Sequence, residues 1–102
     1  MSDEKIVLIA RLKVKADKVE ELKSAALSIV ADSRNEAGNI NYDIHQSLED
    51  ETVFFWHETW VNKAAIDEHF ATTFFGEFFA IVGGVAAEPP QIDLTRMITQ
   101  KA

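Results

Sequence analysis

The sequence predicts a single α+β domain, residues 1–102, built on one antiparallel sheet. Two observations predict this class. Segments with an apolar residue at every second position alternate with segments whose apolar residues recur every three or four positions, in the order β-α-β-β-α-α-β. In addition, only residues 48–51 connect the second and third strands, which is too short for the crossover that a parallel pair requires.

The first two elements are a strand and a long helix. Residues 5–14 alternate, and one face of this strand carries apolar side chains: Ile6, Leu8, Ala10, Leu12 and Val14. The helix is predicted to begin at Asp17, because Glu20 three residues later completes a capping-box pattern. It runs for about five turns, and Gly38 is expected to end it.

Residues 40–47 and 52–60 are predicted to pair as a hairpin. If the turn is centred between residues 49 and 50, His45 pairs with Phe54. One face then carries Ile40, Tyr42, Ile44, Val53, Phe55 and His57. The other face carries Asn41, Asp43, His45, Phe54, Trp56, Glu58 and Trp60. Because three large aromatic side chains on this second face cannot stay in water, the pattern predicts a homodimer that packs sheet against sheet.

The last third of the chain is predicted to hold two short helices and a strand. Asn62 is a suitable N-cap for a helix that ends near Ala71, and Thr72 or Thr73 can cap another over residues 74–82. Gly83 and Gly84 are expected to end that helix, and two prolines lead into a strand over residues 91–99. The complete order is the ferredoxin-like βαββαβ pattern with its second helix split.

Charge and composition exclude several classes of function. The formal net charge is −7, and the sequence has no basic stripe, so we expect no binding to nucleic acid or to an anionic membrane surface. The absence of cysteine excludes disulfides, thiolate metal sites and cysteine nucleophiles. The acidic N-terminal residues do not read as a signal peptide, and no apolar run is long enough to cross a membrane. A cytoplasmic protein is expected.

The ordered motifs between Gly38 and Phe78 carry a resemblance to a known family. They are the strand Gly38-Asn39-Ile40-Asn41-Tyr42-Asp43, the strand ending Glu58-Thr59-Trp60, and the helix Ala65-Ile66-Asp67-Glu68-His69 followed by an aromatic-rich segment. This combination resembles the antibiotic biosynthesis monooxygenase family. The resemblance implies a dimer of ferredoxin-like domains whose sheets form an α/β barrel. It also implies oxygenation of phenolic, anthrone-like or quinol substrates by dioxygen without flavin, haem or metal.

The sequence departs from the family pattern at four positions. Phe74 stands where many members have a second histidine, so any acid–base role of that histidine is lost. Phe79 and Ala10 stand where the haem-degrading branch uses a histidine and an asparagine, which disfavours haem degradation. Asn41 stands at a position that is often arginine in relatives, which weakens anion binding there.

Cofactor-free oxygenation needs a base that deprotonates the substrate inside a dry aromatic cavity. His69 is the candidate catalytic residue, as base or anion anchor. It borders the apolar face of its short helix, and the resemblance implies that it lines the pocket between this helix and the sheet. The candidate substrate-binding residues are Trp60, Tyr42, Phe74 and Phe78. Glu58 is interpreted as an interfacial or surface carboxylate. No metal site is expected, because His45 and His57 are predicted to face opposite sides of the sheet and no His-Glu-x-x-His run is present.

Two other functions remain open. The chain could bind or isomerise a small polar metabolite without oxidation, and a pocket lined by cationic and polar groups would favour that function. It could also be a dimeric interaction module without chemistry, and a cavity filled entirely by phenylalanines would favour that one.

Overall fold

The expected ferredoxin-like α+β fold is confirmed. The computed structural model describes residues 4–99, which form one four-stranded antiparallel sheet in the order β2-β3-β1-β4. The strands are β1 (Ile6–Lys13), β2 (Asn39–Gln46), β3 (Val53–Trp60) and β4 (Gln91–Thr95). The helices are α1 (Val19–Ser28), α2 (Val30–Arg34), α3 (Lys63–Phe70) and α4 (Thr73–Val85). Within these residues, no helix is long and apolar enough to cross a membrane.

The core lies between the helices and one face of the sheet, called here the inner face. The alternation of β1 and β3 places the inner side chains of both strands in this core: Leu8, Leu12, Phe54, Trp56, Glu58 and Trp60. The helices contribute apolar side chains at helical spacing, among them Leu22, Ile66 and Phe78. The opposite or outer face carries β1 residues such as Ile9 and Arg11, as their alternation predicts.

The predicted hairpin register is wrong by one residue. His45 pairs with Phe55, not with Phe54, because the turn is centred on Asp50 itself. Side-chain hydrogen bonds hold this centre: Ser47 Oγ accepts from two backbone N–H groups, and Asp50 Oδ1 accepts from the N–H and hydroxyl of Thr52. A one-residue shift moves every side chain of one strand to the other face.

The corrected register changes two conclusions. Tyr42 lies opposite Glu58 and Ile44 opposite Trp56, so both belong to the inner face with the large aromatic groups of β3. The helices of the same chain cover that face, so its large aromatic side chains do not require a second subunit to bury them. His57 pairs with Asp43 on the outer face, and His45 lies on that face too, so the two histidines share a side of the sheet.

The helix boundaries differ from the prediction at three points. Asp17 lies inside a short 3₁₀ turn, Ala16–Lys18, and no side chain caps α1. The predicted long first helix is interrupted at Ile29 and already ends at Arg34. Gly83 does not end α4, which continues to Val85. The predicted caps at the other helices are confirmed: Asn62 Oδ1 accepts from the Ala65 N–H at 2.9 Å, and Thr72 caps α4.

Gly38 has a different role from the predicted helix stop. None of the described glycines has a positive φ, so Gly38 is not needed for a left-handed conformation. A Cβ atom built there would lie 2.4 Å from the Cβ of Ala65, which is too close for two carbon atoms. Glycine therefore lets α3 approach the start of β2, and this approach positions the C-terminal end of α3 over the sheet.

Replacing Gly38 with alanine is expected to lower the free energy of unfolding by about 1–3 kcal/mol, because the added methyl overpacks the α3–β2 contact. Urea unfolding followed by far-UV circular dichroism measures this change. Gly76→Ala is the matched control, since a Cβ there meets no atom within 4 Å. Gly76→Ala should raise the free energy of unfolding by up to about 1 kcal/mol, because alanine has a higher helix propensity than glycine. Equal effects of the two substitutions would contradict the close approach.

Candidate active site

His69 lies in the last turn of α3 and is 1% exposed. The helix end is held by Thr72, whose hydroxyl donates to the His69 carbonyl at 2.8 Å and also caps α4. On the ring itself, Nδ1 lies 2.5 Å from Oε2 of Glu36. Because a carboxylate accepts hydrogen bonds, this contact places the proton of the neutral ring on Nδ1 and leaves Nε2 as an acceptor.

Glu36 is held by the turn between α2 and β2. Its N–H donates to the Ser33 carbonyl at 3.2 Å, and its own carbonyl accepts from the N–H of Asn39 at 3.0 Å. The Glu36 side chain is 18% exposed, so its carboxylate contacts solvent, whereas the His69 ring is fully buried. No sequence pattern marks Glu36 as the partner of His69, because it lies in a turn 33 positions away and only its acidic side chain distinguishes it.

The other ring nitrogen of His69, Nε2, is buried and has no hydrogen-bond partner among the described residues. Aromatic groups surround the ring. The centroid of the His69 ring lies 4.7 Å from that of Trp60 and 5.8 Å from that of Tyr42. Three phenylalanines complete the shell at 5.1–6.1 Å: Phe70, Phe74 and Phe75. A buried acceptor without a partner is costly in a folded protein, so this nitrogen is a candidate for chemistry.

Glu58 is the second polar group of this region and is only 4% exposed. Its Oε1 accepts from Nε1 of Trp60 at 2.9 Å. Burial raises the pKa of the Glu58 carboxyl to about 7, although the Trp60 hydrogen bond works against this and the nearby Glu36 adds to it. Glu58 is therefore buried within its own chain and is not the interfacial or surface carboxylate that the sequence suggested.

Tyr42 lies beside Glu58 on the adjacent strand and is 1% exposed. Burial, reinforced by the negative charge of Glu58, raises the pKa of the Tyr42 phenol above its usual value. Tyr42 therefore stays protonated at neutral pH and can act as a hydrogen-bond donor.

A cavity of about 50 Å³ lies between the inner face of the sheet and helices α3 and α4. Most of its lining is apolar: Leu8, Ala10, Leu12, Trp56, Phe70, Phe75, Phe78, Phe79, Val82, Pro90 and Ile92. The polar side chains in the lining are those of Tyr42 and Glu58; the lining also includes Arg11, whose side chain belongs to the outer face by the alternation of β1. His69 is not in the lining, but its ring packs against three side chains that are: Tyr42, Phe70 and Phe75.

The structure brings most of the predicted site residues together. Trp60, Tyr42 and Phe74 pack around His69. Phe78 lines the cavity and packs on Trp56, with 6.1 Å between the ring centroids. Although His45 and His57 share the outer face, residues 4–99 contain no group of three or more histidine, aspartate or glutamate side chains arranged to hold a metal ion.

Comparison with known proteins gives consistent findings. A family model described as Antibiotic biosynthesis monooxygenase matches residues 5–81. The chain is 43% identical to YcnE of Bacillus subtilis, which carries a provisional monooxygenase name, over 74% of this chain and 79% of that protein. It is 33% identical to the uncharacterised protein sll1783 of Synechocystis over 94% of its own length, and it spans 65% of the length of that protein.

Solved structures agree with the fold. PA3566 of Pseudomonas aeruginosa superposes with a TM-score of 0.89 at 28% identity, covering 97% of this chain and 99% of the other. A Nitrosomonas europaea protein provisionally titled an antibiotic biosynthesis monooxygenase superposes with a TM-score of 0.90 at 26% identity, covering 100% of this chain and 98% of the other.

Proposed function

The chain belongs to the antibiotic biosynthesis monooxygenase family, and from that premise we propose that it oxygenates an electron-rich aromatic, quinol or anthrone-like molecule with dioxygen. The reaction needs no flavin, haem or metal, because the deprotonated substrate itself supplies the electrons. The observation that carries the proposal is the buried Glu36–His69 pair beside an aromatic cavity. Its free Nε2 is the group that accepts the substrate proton.

The size of the cavity indicates how a substrate reaches His69. A molecule with two or three fused rings needs more room than about 50 Å³, so it must displace side chains of the lining. Phe70 and Phe75 line the cavity and also cover the His69 ring. Phe70 is 37% exposed and can turn toward solvent. Substrate binding would then replace phenylalanine contacts on the His69 ring by contacts with the substrate. Trp60 and Tyr42 would keep the His69 ring in its orientation.

The lining of the cavity supports oxygenation over the two alternatives. Binding or isomerisation of a polar metabolite requires several polar groups that converge on the ligand, whereas the lining is chiefly aliphatic and aromatic. A pure interaction module would fill this space with side chains, yet a cavity with a buried carboxyl in its wall remains.

The proposal includes a homodimer formed through the outer face of the sheet. Ile9 and Phe55 lie on that face at 45% and 37% exposure, which leaves apolar surface for a second copy to cover. A sedimentation equilibrium mass of one chain at micromolar concentration would exclude this assembly.

The experiment is oxygen uptake by purified, chelator-treated protein supplied with an anthrone or a naphthohydroquinone and no added cofactor. We expect one dioxygen consumed for each quinone formed, at a rate above that of the substrate alone in buffer. Glu77→Gln serves as the matched control, since this exposed residue of α4 lies outside the cavity. Ligand binding without oxygen uptake would favour the non-oxidative function, and no uptake with any such substrate would contradict oxygenation.

A further inference from the structure

We propose that Glu58 is a second catalytic residue, which hydrogen-bonds the oxygen atoms of the bound substrate and donates its proton to the oxygen that leaves as water. The inference rests on the proposed function and assigns the proton donor within the same site. Glu58 belongs to the Glu-x-Trp motif that carries the resemblance, but the resemblance assigns it no role in the reaction.

Glu58 lies in the wall of the cavity. It lies on the inner face near the middle of the sheet, directly between Leu8 of β1 and Tyr42 of β2. Both neighbours line the same cavity. One carboxyl oxygen, Oε1, accepts from Trp60, and no described residue hydrogen-bonds the other oxygen. A ligand in the cavity can therefore contact Oε2 directly, whereas it must first displace phenylalanines to reach His69.

Glu58 is a carboxyl among apolar side chains on the inner face of β3. The other inner-face residues of β3 are Phe54, Trp56 and Trp60, so a structural role would be served best by another apolar side chain. Burial instead leaves a carboxyl that is about half protonated at neutral pH. A group with this property can give and recover a proton in each cycle. Tyr42 cannot replace it, because its raised pKa keeps its proton in place.

Polar side chains on two neighbouring elements lie near Glu58. Tyr42 faces it from β2, and His69 of α3 packs on the rings of Tyr42 and Trp60. Glu36 raises the pKa of Glu58 through its negative charge. The side chains that α4 and β4 contribute to the cavity wall are apolar. A substrate that fills the cavity excludes water and leaves Glu58 with the substrate as its main new contact.

The reaction of an anthrone-like substrate illustrates the role. His69 removes a proton from the reacting CH₂ group, and the anion gives two electrons to dioxygen, forming a C–O bond and a peroxide anion. That anion recovers the proton from His69 and becomes a hydroperoxide. His69 then takes the remaining proton of the same carbon, the C–H electron pair forms the second bond of the carbonyl, and the O–O bond breaks. Glu58 protonates the departing oxygen, so CH₂ and O₂ yield C=O and H₂O, and the proton on His69 returns to Glu58.

The test is binding of menadione, a quinone that cannot be oxygenated in this way, followed through quenching of the tryptophan fluorescence. Protonated Glu58 donates to a quinone carbonyl but the carboxylate does not. We therefore expect the Kd of the wild type to rise about tenfold between pH 5.5 and pH 8.5. Glu58→Gln keeps a donor at every pH and should bind with a Kd that does not change over this range. Glu77→Gln, outside the cavity, should behave as the wild type.

A turnover measurement completes the test. With an anthrone, kcat of the wild type should fall above about pH 7, whereas Glu58→Gln should show a lower kcat without this fall and should release a hydroperoxide. Wild-type pH dependence of menadione binding in Glu58→Gln, or absence of menadione binding by the wild type, would overturn the role of Glu58. Glu58-dependent binding without oxygen uptake by the wild type would instead refute oxygenation and leave only the contact of Glu58 with the ligand.

Discussion

Replacing His69 with glutamine is expected to lower kcat for an anthrone or quinol by about 10²–10⁴-fold, the usual contribution of a general base. Glutamine preserves a hydrogen-bonding side chain of similar reach toward Glu36 but lacks a basic nitrogen where Nε2 stands. Binding of the substrate should change much less than kcat, because Trp60 and the phenylalanines supply most of the contact surface. Stopped-flow oxygen uptake under saturating substrate measures the effect.

Two further variants separate a catalytic from a structural role of His69. Glu36→Gln keeps the imidazole but removes the carboxylate that orients it, so an intermediate loss of kcat is expected. His45→Gln makes the same substitution as His69→Gln on the exposed outer face and should leave kcat unchanged. Full activity of His69→Gln in a folded protein, as judged by its thermal unfolding, would remove His69 from the reaction.

The order of elements could be predicted from the sequence because it depends on local patterns. The two-residue alternation of β1 and the caps at Asn62 and Thr72 are each contained within a few residues. Such signals survive in the folded chain because the tertiary contacts reinforce them. The end of the first helix was misjudged because Gly38 is required by a contact with Ala65, which is distant in sequence.

The register of the hairpin could not be read with the same certainty. The centre of the turn depends on which side chains hydrogen-bond to its backbone. The hydrogen bonds of Ser47 and Asp50 place it on residue 50 and not between residues 49 and 50. The predicted faces already grouped Glu58 with Trp56 and Trp60, but the register error placed Tyr42 on the opposite face, so the Glu58–Tyr42 neighbours were not predicted. The pairing of Glu36 with His69 depends on how a loop meets a helix, and no pattern within either segment encodes it.

Glu58 should make the stability of the protein depend on pH in a direction opposite to that of an ion-paired carboxyl. Its pKa is about 7 in the folded protein against 4.5 for an unperturbed glutamate. Between these two values the folded state binds more protons than the unfolded state, so the free energy of unfolding falls as the pH rises. The loss amounts to about 3 kcal/mol by pH 7 and is complete slightly above it, because one pKa unit corresponds to about 1.4 kcal/mol.

Replacing Glu58 with glutamine removes this ionisation while its amide oxygen can still accept from Trp60 Nε1. The variant should therefore lack the decline between about pH 4.5 and pH 7, and at pH 8 it should be more stable than the wild type by up to about 3 kcal/mol. Urea unfolding at several pH values measures the difference between the two curves. Because carboxyls with lowered pKa values, such as those of Glu4 and Asp50, are present in both proteins, their contribution cancels.

Glu77→Gln is the control for a general effect of removing one negative charge from a chain of net charge −7. This substitution should change the free energy of unfolding by less than about 0.5 kcal/mol at every pH, as exposed substitutions usually do. Parallel curves for wild type and Glu58→Gln would show that Glu58 does not titrate in the folded protein near neutrality. A gain in stability together with a loss of turnover would instead mean that the carboxyl destabilises the fold and is retained for its chemistry, as is common for groups in active sites.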